Sequence, residues 1–274
     1  MFDYHHHSEN SVDSTTPMAD ICHSAIDRGV TEIAFTEHVD FIPEERNTGY
    51  FDYERYMRDI EACRELFGDK LAVLAAAEID YCPDFEDEIA GWLTGKDFDF
   101  VVGSVHYIRG KGNISEPRAV ECFGDRSVED AYREYFGIVR QSAESGLWDS
   151  LGHIDLVKRY GAAHYGPLDT EVFADEIDGI LSAVIRTGMA LEVNASGLRQ
   201  GPTETYPGIA ILARYRGLGG TKITVGSDSH TAEHTGIGAD VAMNLVRTAG
   251  FDSILRFRGR KGTRVSIEIP EISS

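Results

Sequence analysis

The chain alternates short apolar segments with amphipathic ones about seven times, and this alternation restricts its fold more than any other feature. In the clearest unit, a helical pattern over 51–67 closes at Gly68 and is followed by the apolar run 71–77. Strands that alternate with helices pair in parallel, and strands with nearly continuous apolar sequence are buried on both faces. A closed barrel and an open sheet with helices on both faces satisfy this pattern equally.

Side chains that can bind metal ions follow most of the predicted strands. They are His5, His7, His38, Glu78, His106, His153, Asp228 and His230. In an open sheet a ligand site draws on only a few strands, whereas the carboxyl ends of all barrel strands meet in one ring. The distribution therefore favours the barrel. It predicts a single-domain α/β protein, a distorted (β/α)7 TIM-like barrel over residues 1–274.

Three consecutive histidines lie close to the N-terminus. If residues 2–7 form a strand, His5 and His7 point to one face and His6 to the other. Two neutral imidazoles on one face can bind a divalent metal ion. A purification-tag remnant or a chance cluster is the alternative, but Phe2 and Tyr4 flank the run where a tag would have polar linker. Six of the 10 histidines also fall at predicted strand ends, which favours a metal site.

Composition narrows the possible partners and the compartment. The formal net charge is −20, and such a surface repels nucleic acid, whose binding depends on basic side chains. No apolar run reaches membrane-spanning length, and the N-terminus lacks a signal pattern. The four cysteines form no CxxC pair, which is typical of reduced thiols. A cytoplasmic enzyme without nucleic-acid or membrane partners is predicted.

Six stretches resemble, in order, the polymerase-and-histidinol-phosphatase (PHP) family of metal-dependent phosphoesterases. They are 3–8 (DYHHHS), 35–38 (FTEH), 78–81 (EIDY), 103–108 (GSVHYI), 152–156 (GHIDL) and 226–230 (GSDSH). A further stretch, 192–199 (EVNASGLR), is similar to the histidinol-phosphatase branch. The resemblance implies hydrolysis of a small phosphate ester, L-histidinol phosphate, to L-histidinol and phosphate by a metal-bridging hydroxide.

The resemblance also implies three divalent metal ions. The first would be bound by His5, His7, Glu78 and Asp228, the second by Glu78, His106 and His153, and the third by Asp13, His38 and His230. Many relatives have histidine where this chain has Asp13. Mixed histidine and carboxylate ligands suit zinc, manganese or iron(II) equally.

Substrate-binding roles follow from the same resemblance. Arg199 is expected to donate a two-pronged hydrogen bond to the phosphate, with Arg159 or Lys158 as a second cation. A surface ion pair is the alternative for Arg199. The proton donor to the leaving oxygen is one of three residues, which are His38, Asp228 and His230. The loops 39–50 and 107–126 are expected to cover the site and to supply acids for the substrate's amine.

Four other functions are compatible with parts of the pattern. A PHP-type enzyme could act on other small phosphate esters. An amidohydrolase barrel also begins with His-x-His, but it has a bridging lysine where this chain has Glu78. A metal-binding barrel without catalysis would lack ligands, and none of the main ones is missing. A proofreading nuclease is disfavoured by the charge of −20.

Overall fold

A computed structural model describes residues 1–267, in which strands and helices alternate along the chain. The strands are β1 (Phe2–His6), β2 (Glu32–Val39), β3 (Ala72–Asp80), β4 (Phe100–Ser104), β5 (Tyr107–Ile108), β6 (Gly112–Asn113), β7 (Ser150–Leu151), β8 (Ala190–Asn194), β9 (Ile223–Gly226), β10 (Ser253–Arg258) and β11 (Lys261–Ser266). The helices are α1 (Met18–Asp27), α2 (Tyr53–Phe67), α3 (Glu86–Leu93), α4 (Ala119–Phe123), α5 (Val128–Ser145), α6 (Lys158–Tyr165), α7 (Ala174–Thr187), α8 (Ile209–Gly217) and α9 (Ala239–Thr248). No helix within 1–267 combines the length and the apolar character needed to cross a membrane.

Seven strands form one parallel sheet in the order β1-β2-β3-β4-β7-β8-β9. The last strand returns to the first, because Asp228 N–H donates to the His5 carbonyl at 2.8 Å and His7 N–H to the Ser229 carbonyl at 2.9 Å. A nearly closed barrel results, and the predicted (β/α)7 architecture is confirmed. Strand β7 has only two residues, Ser150 and Leu151, which makes the barrel irregular.

Alternation along β3 shows how the barrel positions its polar residues. Val73, Ala75, Ala77 and Ile79 belong to the large core shared with the helices. Leu74 and Ala76 belong to a smaller apolar cluster inside the barrel. Because side chains on a strand alternate between faces, Glu78 continues the inner row above those two residues. The lower half of the interior is therefore apolar, and the carboxyl end carries the polar groups.

A C-terminal hairpin of β10 and β11 covers the amino end of the barrel. Phe257 packs on Phe100 with ring centroids 5.0 Å apart, and Phe100 in turn contacts Tyr4 at 5.2 Å. Arg258 donates to the buried Glu32 carboxylate at 2.7 Å. Packing of the hairpin thus closes the barrel interior at this end.

Candidate metal centre

Glu78 lies at the centre of a buried polar cluster at the carboxyl end of the barrel, and only 1% of its surface is exposed. Five histidine nitrogens lie within 3.5 Å of its carboxylate oxygens, those of His153 (2.8 Å), His38 (3.0 Å), His5 (3.4 Å), His106 (3.4 Å) and His7 (3.5 Å). His38 is the β2 residue paired directly with Glu78 in the sheet register, so neighbouring strands bring these two groups together.

Alternation along β1 and into the residue that follows it separates the three consecutive histidines as predicted. The His5 and His7 rings face the cluster, where their centroids lie 5.2 Å apart. The His6 ring points away and its Nε2 lies 2.9 Å from the Thr235 hydroxyl. His6 is therefore a satisfied core residue.

A second group of residues lies at the outer edge of the cluster. Asp13 Oδ2 is 3.3 Å from His38 Nε2 and 3.2 Å from His230 Nε2. The His7 ring stacks on those of His38 and His230, each at 4.2 Å between centroids. Asp228 Oδ1 lies 3.5 Å from His7 Nε2. Asp13, Asp228 and His230 lie beside Glu78 and the five histidines around it, so the structure brings together all nine residues predicted to bind metal.

The donor atoms of the cluster fit divalent metal ions. Four combinations of three residues each place one ligand atom per residue within 4.8 Å of the others, and they are His7–His38–His230, His5–His153–Asp228, His5–His7–Glu78 and His38–Glu78–His106. His5 Nε2, His7 Nε2 and Glu78 Oε2 are buried without a hydrogen-bond partner among the described residues. Burying such an atom costs about 1–3 kcal/mol, which a metal ligand bond offsets. The cluster is a divalent-metal site, while the division of its ligands among ions stays a prediction.

Charges in the cluster favour the protonation states in which Glu78 and His7 can bind a metal. Burial by itself raises the pKa of Glu78, but the nearby His5, His106 and His38 hold that pKa well below its usual range. Burial, together with the neighbouring His230 and His38, lowers the pKa of His7 well below its usual value. Metals bind carboxylates and neutral imidazoles, so both groups are ready to act as ligands.

Glu192 supports the cluster from β8, although the sequence did not indicate this role. Its Oε1 lies 2.5 Å from His5 Nδ1, and its Oε2 accepts the backbone N–H of His153 at 2.9 Å. A carboxylate on Nδ1 fixes the ring so that Nε2 faces the metal. The sequence did contain a signal for this role, because Glu192 and Asn194 are two residues apart on a strand and therefore point to the same face. Asn194 on that face also contacts the cluster, since its Nδ2 donates to Asp228 Oδ2 at 3.1 Å.

Replacing Glu192 with glutamine is expected to weaken metal binding by about 10- to 100-fold, because the His5 ring loses the carboxylate that orients it. Competition with a chromogenic chelator measures this change. Glu65→Gln on the exposed surface of α2 is the matched control. Identical metal affinities in the two variants would show that Glu192 does not orient His5.

A cavity of about 520 Å³ opens above the cluster. The two loops predicted to cover the site both line it, Arg46 and Asn47 from the first and Asn113, Ser115 and Glu116 from the second. Arg159, Tyr160 and Gln200 line other parts of the wall. The candidate proton donors His38, Asp228 and His230 also reach this cavity, so a substrate held there meets both the metal ligands and the loops.

Arg199 contacts backbone carbonyls at the carboxyl end of the barrel. Its Nη1 donates to the Ile237 carbonyl at 3.1 Å and its Nη2 to the Ser227 carbonyl at 2.7 Å, and it does not line the cavity. Both ends of the guanidinium fork are thus bound to backbone. The expected phosphate contact of Arg199 stays a prediction, and Arg199 has no ion pair among the described residues. Arg199 instead supports the segment that carries Asp228, whose φ of +50° is unusual for a residue other than glycine.

The contacts of Lys158 do not favour its expected role as a phosphate ligand, which stays a prediction. It is 2% exposed, and its Nζ lies 2.7 Å from Asp155 Oδ2 and 2.7 Å from Glu204 Oε1. Arg159 is different. It is half-buried, lines the cavity, and has no ion pair among the described residues. Of the three predicted cations, only Arg159 is available to a ligand.

The model of the PHP domain family matches residues 3–196, more than half of the chain. The chain belongs to the PHP family. Among curated PHP relatives, the probable histidinol-phosphatase of Deinococcus radiodurans is 30% identical over 268 residues, covering 94% of this chain and 97% of that protein. The histidinol-phosphatase of Lactococcus lactis subsp. lactis is 32% identical over 262 residues, covering 94% and 95%. The predicted family and its histidinol-phosphatase branch are confirmed.

Two solved structures share the fold of this chain. Histidinol phosphate phosphatase from Lactococcus lactis, crystallised with zinc, L-histidinol and phosphate, superposes with a TM-score of 0.84 at 30% identity, covering 96% of this chain and 98% of that one. A structure from Listeria monocytogenes superposes with a TM-score of 0.80 at 23% identity and supports the fold. The PHP-type barrel thus extends over nearly all of the chain.

Proposed function

We propose that this chain is a metal-dependent phosphomonoesterase that hydrolyses L-histidinol phosphate to L-histidinol and phosphate. The observation that carries the proposal is the position of Arg159, an unpaired cation within the described residues, on the wall of a cavity whose floor is the divalent-metal cluster. Such a cavity can bind a phosphate between cations on two sides. The names of the relatives and the ligands of the Lactococcus structure support this substrate.

We propose three ions for the cluster, zinc, manganese or iron(II), with the ligand sets implied by the family resemblance. Asp13 lies close enough to His38 and His230 to complete the third set. Bound ions of this kind lower the pKa of water and neutralise charge on phosphoryl oxygens. The residues of the chain supply the rest of the chemistry.

The leaving oxygen needs a proton, and three side chains lining the cavity are candidates. Burial by itself raises the pKa of Asp228, but His5, His7 and His230 hold that pKa well below its usual range, so the carboxylate is ionised and has no proton to donate. The His230 side chain is 31% exposed, against 10% for His38. His230 is therefore the better placed of the two remaining donors.

The amine of the substrate needs a negative partner away from the phosphate. Glu116 lines the cavity on the second loop, and its Oε1 lies 3.1 Å from Arg46 Nε on the first loop. A substrate ammonium can share that carboxylate, while Tyr160 and Leu156 offer apolar surface to an imidazole. Specificity among phosphate esters comes from these contacts, since metals and Arg159 bind every ester alike.

A substrate panel tests the proposed function. kcat/KM for L-histidinol phosphate is expected to exceed that for 4-nitrophenyl phosphate by at least about two orders of magnitude, because only the natural ester satisfies the amine and imidazole contacts. A nucleotide diester and a dihydropyrimidine belong in the same panel. Turnover of either would support the nuclease or the amidohydrolase instead.

Glu116→Gln provides the control for the origin of the preference. This variant is expected to lower kcat/KM for L-histidinol phosphate and to leave kcat/KM for 4-nitrophenyl phosphate unchanged, because the aryl ester has no amine. The ratio of the two kcat/KM values therefore decreases. Equal efficiencies of the unmodified enzyme on both esters would leave a phosphatase but contradict the histidinol assignment.

A further inference from the structure

Gln200 lines the cavity above the metal centre and is not among the residues assigned to the metals, the phosphate or the amine. It directly follows the short helical turn Ser196–Arg199, and its side chain is half-buried. Its backbone is held on both sides, since its N–H donates to the Gly197 carbonyl at 3.2 Å and its carbonyl accepts the Thr203 N–H at 3.1 Å. Gln200 therefore has a fixed place on the cavity wall.

The side-chain amide of Gln200 is held by a buried tyrosine. The Tyr206 hydroxyl donates to Gln200 Oε1 at 2.8 Å, and Tyr206 is 0% exposed. The backbone of Tyr206 exchanges two hydrogen bonds with that of Asn194, at 2.7 and 2.9 Å. Its ring packs closely on Gly197, where an added Cβ would lie only 2.9 Å from a ring carbon. Tyr206 is thus a rigid support for the amide.

The hydroxyl hydrogen of Tyr206 decides which end of the amide faces the cavity. Within residues 1–267, Gln200 Oε1 is the one acceptor of that hydroxyl. If the amide were reversed, Nε2 would donate to the hydroxyl and the buried O–H would have no acceptor, which is unfavourable. In the observed orientation Nε2 has no hydrogen-bond partner among the described residues and is accessible. Gln200 therefore offers free N–H donors to a ligand in the cavity that it lines.

The neighbours of Gln200 in the chain place it on the phosphate side of the cavity. Gly201 packs against the backbone of Arg159, because a Cβ on Gly201 would lie 3.2 Å from the Arg159 carbonyl. On the other side, Arg199 Nη2 donates to the Asp228 carbonyl at 3.3 Å. Gln200 thus lies between the segment of a predicted metal ligand and the cation proposed to bind the phosphate.

From these contacts we infer that Gln200 donates through Nε2 to a phosphoryl oxygen of the bound ester, and that Tyr206 positions this donor. The inference rests on the proposed phosphomonoesterase function and adds a neutral donor beside Arg159. A hydrogen bond to a charged oxygen is stronger than one between neutral groups, and a donor that is already oriented needs no rearrangement when the substrate binds. Every phosphate ester has this oxygen, so the contact contributes to all of them alike.

Inorganic phosphate is the probe for the contact, because it needs no turnover. Gln200→Leu removes the donor and nearly keeps the volume, and it is expected to weaken phosphate binding to the metal-containing protein by about 10- to 100-fold in calorimetric titrations. Gln141→Leu, on the exposed surface of α5, is the matched control and is expected to bind as the unmodified protein does. Equal affinities of the two variants would overturn the inference. Failure of the unmodified protein to bind phosphate would contradict the proposed function as well.

Kinetics on two esters locates the contact on the substrate. Gln200→Leu is expected to lower kcat/KM by a similar factor for L-histidinol phosphate and for 4-nitrophenyl phosphate, with metal content unchanged. Gln200→Glu keeps an acceptor for Tyr206 but places a negative charge beside the phosphate, so it is expected to lower kcat/KM further than leucine does. A loss confined to L-histidinol phosphate would overturn the inference, since the amide would then contact the amine or the imidazole.

A double-mutant cycle tests the positioning role of Tyr206. Tyr206→Phe is expected to weaken phosphate binding by about three- to tenfold in the unmodified protein and to have no further effect in Gln200→Leu, because the hydroxyl acts only through the amide. Effects that multiply would show a general structural role and overturn the positioning role. Thermal unfolding reports whether Tyr206→Phe is folded, and if it is not, the two Gln200 variants decide the inference by themselves.

Discussion

Replacing Glu78 with glutamine is expected to remove most bound metal and to lower kcat/KM by about three orders of magnitude or more. Five histidine nitrogens converge on this one carboxylate, so a neutral amide removes the charge that holds the cluster together. Glutamine keeps the size and shape of the side chain, which leaves the barrel packing nearly unchanged. Elemental analysis after purification without chelator gives the metal content, and steady-state kinetics gives the activity.

Glu65→Gln is the matched control for this experiment, since it makes the same chemical change on the exposed surface. Thermal unfolding in the presence of chelator compares the two variants without the contribution of metal. Metal content near that of the unmodified protein, together with kcat/KM within threefold, would contradict the central position given to Glu78. It would also contradict a mechanism based on these metals.

Arg159→Ala is expected to lower kcat/KM for phosphate esters by about 30- to 700-fold while metal content stays normal. The range corresponds to about 2–4 kcal/mol of transition-state stabilisation from charge-assisted contacts to a phosphate. Metal content is unaffected because a guanidinium is not a metal ligand. Kinetics on 4-nitrophenyl phosphate, which lacks the amine, isolates this phosphate contribution from substrate recognition.

Arg199→Ala distinguishes the two arginines. Arg199 holds the Ser227 and Ile237 carbonyls, so its loss is expected to disturb the Asp228 segment and to reduce metal content along with activity.

Arg159→Lys should recover only part of the rate lost in Arg159→Ala, because a lysine cannot reproduce a two-pronged contact. If Arg159→Ala retained full activity, the phosphate would have to be bound by other groups.

The metal ligands could be predicted from the sequence because their positions depend on local periodicity. Parallel strands place their carboxyl ends at one edge, and alternation along each strand selects the inner face. His5 on β1, His7 directly after it, His38 on β2 and Glu78 on β3 therefore converge whatever the details of the loops. The repeated order of strand, ligand and helix was sufficient to predict the barrel and, with the family resemblance, the chemistry.

The partners of long cationic side chains were not predictable in this way, because they depend on segments far apart in the chain. Arg199 binds carbonyls 28 and 38 residues away, and Lys158 binds Glu204, which is 46 residues away. A flexible side chain pairs with whichever acceptor the packed fold leaves within reach, and the sequence around the side chain does not indicate which acceptor that is. The sequence thus determined which strands carry the metal ligands, whereas tertiary packing decided that Arg199 contacts backbone carbonyls, that Lys158 contacts carboxylates and that Arg159 lines the cavity above the metal centre.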